Sequence, residues 1–434
     1  MNKAKSEALL ARRRNAVANG VGVFNTATVQ SAKGAIIIDV DGNELIDFTG
    51  GIGVINAGHC PQPVIDAITQ QAQKYIHTSF NVVTYEPYIA LCEKLNSIFP
   101  HGGKGKTMLV STGAEAVENA IKIAKQATKR SAVICYTGAF HGRTLMAMTL
   151  TSKTSYANGC GPFAPEVYRI DYPDFYKNGA GKAESEFVVN ELQKLEEFFK
   201  TNVSHQDVAA IIIELVQGEG GFTVAPKAYI TGLRKICDKY GIVLIFDEVQ
   251  TGFGRTAAWG AVEHFDVQPD ISTWAKSMGS GLPIGAVIGR QEVMDAAAPG
   301  TVGGTYIGNP LACAASLATI KYMEEINLNE KAKNVGNIVS KRFDKLKSQY
   351  PQIGEVRGLG AMLAMEFVKN NNPQQPDTEL CTKLVEACAE KGLIVISAGL
   401  YKNVLRILVP LVISEELLNK GLDIIEGELT KLTA

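Results

Sequence analysis

No apolar stretch in this chain approaches the roughly 20 residues that a helix needs to cross a bilayer. The nearest candidate, "VLRILVPLVI" at 404–413, is too short and carries Arg406. A soluble protein is expected. Charge of one sign is also lacking: 43 Lys and Arg against 44 Asp and Glu leave a formal net charge of -1. No global field would draw such a chain onto nucleic acid or anionic lipid, which moves small-molecule chemistry forward. The eight cysteines, at 60, 92, 135, 160, 237, 313, 381 and 388, show neither CxxC spacing nor a dense framework. Reduced thiols in a cytoplasmic compartment are the expectation, several of them acting as small hydrophobes. Six histidines form no HxxxH or HExxH pair, so no histidine-built metal site is expected. Repeats and low-complexity blocks are missing as well. The first residues, "MNKAKSEALLARRRNAVANG", lack the apolar core of a signal peptide. They are basic and nearly acid-free, a composition shared by presequences and by the surface helix expected here.

What is present is a globular composition, 46% hydrophobic and 20% charged over 434 residues, long enough for two or three structural units. "GAIIIDVDGNELIDF" reads as a hairpin around an Asp41-Gly42 turn. From about Cys60 to Ile288 helical and buried-strand patterns alternate. "VAAIIIELV" and "GIVLIFDEV" are continuous apolar runs, and "PKAYITGLRKICDKY" between them has helical spacing, which makes a βαβ unit of a mainly parallel sheet. Beyond about Pro310 come long helical patterns and the short strands "GAMLAMEFV", "GLIVISAG" and "NVLRILVP". The expected architecture is α/β: a large domain at 59–320 with a parallel sheet flanked by helices, and a smaller α+β domain at 321–434. The segment 1–58 is expected to pack with the smaller domain.

Asp247 and Glu248 stand directly after an apolar run, at the carboxyl edge of the expected sheet where ligands bind. Ionised carboxylates beside a dry core need a cation. "GFGRTA" just beyond matches a dinucleotide fingerprint, but its strand ends in Asp-Glu, where a pyrophosphate wants a bare helix N-terminus. Lys276 is the one charged residue of "ISTWAKSMGSGLPIGAVIG" before its closing glycine. Taken alone it could snorkel, form an ion pair, or serve as a desolvated nucleophile. "LVSTGAEAVENAIKIAKQATK" runs from a strand through Ser111-Thr112-Gly113-Ala114 into a helix whose first turn offers free N–H groups to a phosphate. A second glycine-threonine turn, "GGTYIGNP", precedes another helix, capped by Asn309-Pro310. Pyridoxal phosphate needs this combination: a lysine for its aldehyde, an anion cradle, and an acid facing its ring nitrogen. Glu248 is then read as a supporting or surface acid.

With "GGIGVINAGHCP", "GAFHGRT", "IIIELVQGEGGF", "IFDEVQTGFGRT", "WAKSMGSGLP" and "VRGLGAML" in order, the chain resembles the class III, fold type I pyridoxal-phosphate aminotransferases over nearly its whole length. Leu215 stands where that family usually has proline, and Ala257 where glycine often follows "GRT". The resemblance implies a homodimer or homotetramer with active sites at the subunit interface. Lys276 would bind the cofactor aldehyde and Asp247 its pyridinium. Gly113 and Ala114 would hold its phosphate, Thr305 that of the neighbouring subunit. Phe140 and Val249 would flank the ring, with Gln250 near its phenolic oxygen. As activity it implies transfer of the amino group of 4-aminobutyrate to 2-oxoglutarate, giving succinate semialdehyde and glutamate. The alternative donors are 5-aminovalerate, β-alanine or ornithine, and a regulator without turnover is the rival from another class. Two arginines suit a pocket that takes donors with and without an α-carboxylate: Arg143 for the distal carboxylate and Arg406 for the α-carboxylate. Glu219, on a glycine-flexible loop, would pair with Arg406 when that carboxylate is absent and swing away when it arrives. Glu214 would orient Gln250 or the substrate arginine, and Ile52 would narrow the pocket.

Overall fold

The computed structural model describes residues 3–99 and 101–434. The helix Ala4–Ala16 is largely exposed, with Ser6 its one buried residue. Its start is fixed by the hairpin: the Asp41 carboxylate accepts from the Lys5 and Ser6 amides, each at 2.8 Å. A carboxylate there satisfies donors that a helix N-terminus cannot satisfy itself. Strands β1 (Ser31–Lys33), β2 (Ile36–Ile38) and β3 (Glu44–Asp47) follow as an antiparallel ladder. Gly42, at φ +87°, makes the β2–β3 turn, a conformation costly for any residue with a Cβ.

The centre is one seven-stranded sheet of β4 (Gly105–Val110), β5 (Ala132–Tyr136), β6 (Val167–Ile170), β7 (Val208–Ile213), β8 (Val243–Asp247), β9 (Ile271–Trp274) and β10 (Gly285–Arg290). Its spatial order is β4-β10-β9-β8-β7-β5-β6, with β10 antiparallel to both neighbours and the other pairs parallel. The apolar runs are unbroken because both faces are covered. Val133, Cys135, Ala210, Ile212 and Ile245 pack with Val117, Ile121 and Ala124 of the helix Gly113–Thr128. The alternate residues Ile134, Ile211, Ile213, Leu244 and Phe246 pack on the opposite side with Leu233 and Cys237 of the helix Lys227–Tyr240. Period-two alternation thus survives as a choice between two dry layers instead of one dry and one wet.

The helices Pro310–Glu325 and Leu328–Gln349 lead to β11 (Ile353–Leu359), β12 (Met362–Phe367), β13 (Leu393–Ile394), β14 (Ile396–Ala398) and β15 (Val404–Ile407). Four of these form a sheet ordered β11-β12-β15-β14. The fifth, β13, pairs in parallel with β3, so the N-terminal ladder is continued by a strand from the far end of the chain. Position 320/321 lies inside the helix Pro310–Glu325, and Asn327, in the left-handed region at φ +53°, separates that helix from the next. All eight cysteines are free. Among the described residues no metal-ligating cluster occurs and no helix is long and apolar enough to cross a membrane.

Candidate active site

The carboxyl ends of β4, β5, β7, β8 and β9 open on one cavity of about 750 Å³. Gly113 and Ala114 line it from the start of the helix Gly113–Thr128, whose cap is Thr112: its hydroxyl accepts from the Glu115 amide. The Gly113 and Ala114 amides belong to the first turn, which has no intrahelical acceptors. A Cβ on Gly113 would lie 3.0 Å from Val249 Cγ1, so glycine keeps the cradle open.

Asp247, Val249 and Gln250 enter the cavity from the end of β8. Asp247 is buried; its Oδ1 accepts from the Thr273 hydroxyl and the Val249 amide, both at 3.1 Å. Its Oδ2 lies 2.6 Å from His141 Nδ1. Burial works against a charged His141, but the Asp247 hydrogen bond and charge, with Glu214 beyond, prevail and raise its pKa. His141 was not singled out by sequence reasoning; its only local signal is its place in "FHGRT". Lys276 follows β9 and sits at φ +47°, an uncommon conformation for a lysine and of the strained kind found at functional sites. Burial pulls its amine down to about 8, against the opposing pull of Glu219. Gln250 leaves its buried Oε1 without a partner among the described residues.

Glu214 also lines the cavity, but it accepts from the Phe140 amide and the Gly218 amide, each at 3.1 Å, and from neither Gln250 nor an arginine. The expectation that it orients those groups is therefore replaced: it ties the loop after β5 to the loop after β7. Burial pushes its carboxyl up to about 7. Glu248 is no surface acid. It is buried and accepts from Thr251 Oγ1, from the Ala261 amide at 2.9 Å and from the Val262 amide at 2.7 Å, capping the short helix Ala261–His264.

At the other end of the cavity Arg406 Nη1 meets Glu219 Oε1 at 2.6 Å. Glu219 lines the cavity and Arg406 does not, so the carboxylate screens the guanidinium. Burial opposes Glu219 ionisation, yet Arg406, with Lys276 and Lys153, holds it below the usual carboxylate range. Arg143 is exposed in the single chain, its guanidinium 4.9 Å from the Tyr156 ring and 5.7 Å from that of Phe140. Tyr156, a residue the sequence did not single out, also points its hydroxyl at Glu219 Oε2, 3.4 Å away. Ile52 and Thr305 lie outside the cavity wall. Ile52 is half-buried in a left-handed turn at φ +65°, and Thr305 is exposed.

The loop bearing Glu219 is not loose. A Cβ on Gly220 would come within 2.9 Å of the Gly138 carbonyl oxygen, whereas one on Gly218 would meet the movable end of Gln250, at 2.4 Å from Oε1. Gln217 Nε2 donates to Thr137 O at 2.7 Å, and Arg357 Nε to Gly221 O at 2.8 Å. The expected glycine flexibility is replaced by close packing.

These groups match what pyridoxal 5′-phosphate presents. The helix-start amides suit its phosphate, Asp247 a protonated ring nitrogen, Lys276 the aldehyde, and the unpartnered Gln250 Oε1 a ring hydroxyl. A parallel sheet with a lysine, an aspartate and an anion cradle converging at its carboxyl edge defines a fold type I transferase. Comparison with known proteins makes this specific: the class-III aminotransferase family model matches residues 16–429, and the chain belongs to that family. It is 44% identical over 419 residues to a probable 4-aminobutyrate aminotransferase of Bacillus subtilis, covering 96% of each. It is 47% identical over 422 residues to a 5-aminovalerate aminotransferase of Pseudomonas putida, covering 97% of each. Among solved structures, an (S)-enantioselective omega-transaminase from Thermomicrobium roseum superposes with a TM-score of 0.91 at 28% identity over 99% of both chains. A PLP-bound amine transaminase from an uncultivated Pseudomonas gives 0.90 at 27% identity, over 96% of this chain and 98% of that one.

Proposed function

We propose that this aminotransferase uses pyridoxal 5′-phosphate, held as above, to move the amino group of 4-aminobutyrate to 2-oxoglutarate, giving succinate semialdehyde and glutamate. The observation that carries this reading is the Arg406–Glu219 pair, 2.6 Å long, whose carboxylate also acts on the half-buried Lys276. An enzyme whose donor lacks an α-carboxylate must neutralise the arginine that its other substrate needs, because an unpaired buried guanidinium is costly. Glu219 does this, and Arg143 at the open end suits the distal carboxylate that both substrates share. Bound here, the cofactor supplies an electron sink for the charge left when a proton leaves the carbon beside the substrate nitrogen. Asp247, supported by His141, keeps a proton on the ring nitrogen. Lys276 Nζ, lowered to about 8, moves the proton at the reacting carbon near neutral pH. Val249 and Phe140, in the cavity wall, would flank the ring, and Ile52, beyond that wall, would narrow the approach to it. Thr305 serves the partner's phosphate in a cytoplasmic homodimer or homotetramer.

The neighbouring donor 5-aminovalerate differs by one methylene, worth about 1–3 kcal/mol or roughly 10–200-fold in specificity. Half-reaction spectroscopy on a panel of ω-amino acids tests the reading. The absorbance of the lysine-bound cofactor should disappear fastest, at equal kcat/KM-limited concentration, with 4-aminobutyrate, then with 5-aminovalerate, and slowly with ornithine. Fastest loss with ornithine would overturn the assignment of Arg143 to a distal carboxylate.

A further inference from the structure

Glu219 cannot release Arg406 into empty space: the displaced carboxylate stays in a largely dry region and needs another cation. Because the loop backbone is packed on both sides, the side chain must turn about its own bonds. Glu219 lines two cavities, the active-site cavity and a neighbour of about 370 Å³ whose wall includes Lys153, Gly220 and Tyr401. Gly399 joins the two residues: its amide donates to Glu219 O at 3.0 Å, and its carbonyl accepts from Lys153 Nζ at 3.2 Å. The Tyr156 hydroxyl, at Glu219 Oε2, stands with Lys153 Nζ 5.9 Å from its ring centroid. Burial lowers the Lys153 pKa, Glu219 works to raise it, and Lys402 and Arg406 add to the lowering, so the ammonium already feels the gate.

Resting on the reading of Glu219 as a gate, we propose that Lys153 is the second seat of that carboxylate. When a substrate carboxylate takes Arg406, Glu219 rotates into the adjoining cavity and pairs with the Lys153 ammonium. Lys153 is thus a positioning residue that sets the balance between dicarboxylate and monocarboxylate substrates without touching either.

Binding without turnover tests this. Titration calorimetry on the holoenzyme with glutarate, which needs both arginines, and with valerate, which needs one, gives a ratio of dissociation constants. Lys153→Met should weaken glutarate relative to valerate about tenfold, as expected for losing a charge-assisted pair, and Lys153→Arg should restore the ratio. In a Glu219→Gln background, where no carboxylate must be rehoused, Lys153→Met should leave the ratio where Glu219→Gln alone puts it. Glu219→Gln by itself should tighten glutarate relative to valerate. If it does so and Lys153→Met leaves the ratio unchanged, Lys153 is not the second seat. A ratio insensitive to Glu219→Gln would instead remove the gate.

Discussion

At the scale of single residues the site depends on one buried carboxylate being held in place by its hydrogen bonds. Asp247 has two donors on Oδ1, from Thr273 and Val249, and His141 on Oδ2. His141→Ala removes one of these three partners, the one on Oδ2, while leaving Asp247 in place. Losing a partner from a buried polar group costs about 1–3 kcal/mol, which corresponds to roughly 5–150-fold in kcat/KM. Cofactor affinity, measured by fluorescence titration of the apoenzyme, should weaken in step, and His141→Asn, which keeps an N–H, should recover part of both. Full activity in His141→Ala would show that Asp247 needs no such support. Lys276 and Asp247 were legible in the sequence because each is a charge in an apolar setting, a local oddity. His141, Lys153 and Tyr156 were not, because their hydrogen-bond partners, Asp247, Gly399 and Glu219, are 106, 246 and 63 residues away and nothing in their own surroundings is unusual. Glu214 was legible as a site residue, but the amides it holds, at 140 and 218, were not.

At the scale of elements, the segment between β8 and β9 follows the sequence reading in rejecting a dinucleotide turn and departs from it in burying Glu248. "DEVQTGFGRTA" makes no dinucleotide turn: Glu248 caps the short helix Ala261–His264, and Ala257 takes a left-handed φ of +63°. Burial pushes the Glu248 carboxyl up to about 7, against hydrogen bonds from Thr251, Val262 and Ala261. Unfolded, the same group loses its proton near the ordinary value of about 4.3. Between these values the folded state binds more protons, so the contribution of Glu248 to stability declines as pH rises through that window and is at its lowest above about 7. Glu248→Gln loses a good acceptor at Ala261 at every pH but cannot titrate. Its apparent Tm relative to the native enzyme should therefore improve from about pH 5 to about pH 8, by an amount worth at most about 3 kcal/mol. A difference that does not change with pH would show that Glu248 keeps one protonation state throughout.

At the scale of the whole molecule, the apolar runs sufficed to find the central sheet, because a strand dry on both faces leaves no polar positions. The β3–β13 pairing across the full length of the chain rests on short strands whose pattern fits many partners, and only the register Leu393 to Ile46 discloses it. The remaining large-scale question is what covers the open end of the cavity. Thr305 is exposed on a loop whose neighbour Tyr306 is 67% exposed and stacks on His77, with ring centroids 5.0 Å apart. Close by in sequence, Ile76 is 60% and Val82 79% exposed, and Gly303 lies against Asn81. Large exposed apolar side chains grouped on one face mark an interaction surface, and under the function proposed above a second copy of this chain is the occupant that would bring Thr305 to a phosphate. Val82→Glu buries a charge in that contact if it forms and lies harmlessly in water if it does not. Analytical ultracentrifugation should show the variant dissociating to single chains at concentrations where the native protein stays assembled, and transaminase activity should fall along the same dilution curve. If Val82→Glu remains assembled and active at every dilution, this face is not where two copies meet, and Thr305 has no part in a neighbour's site.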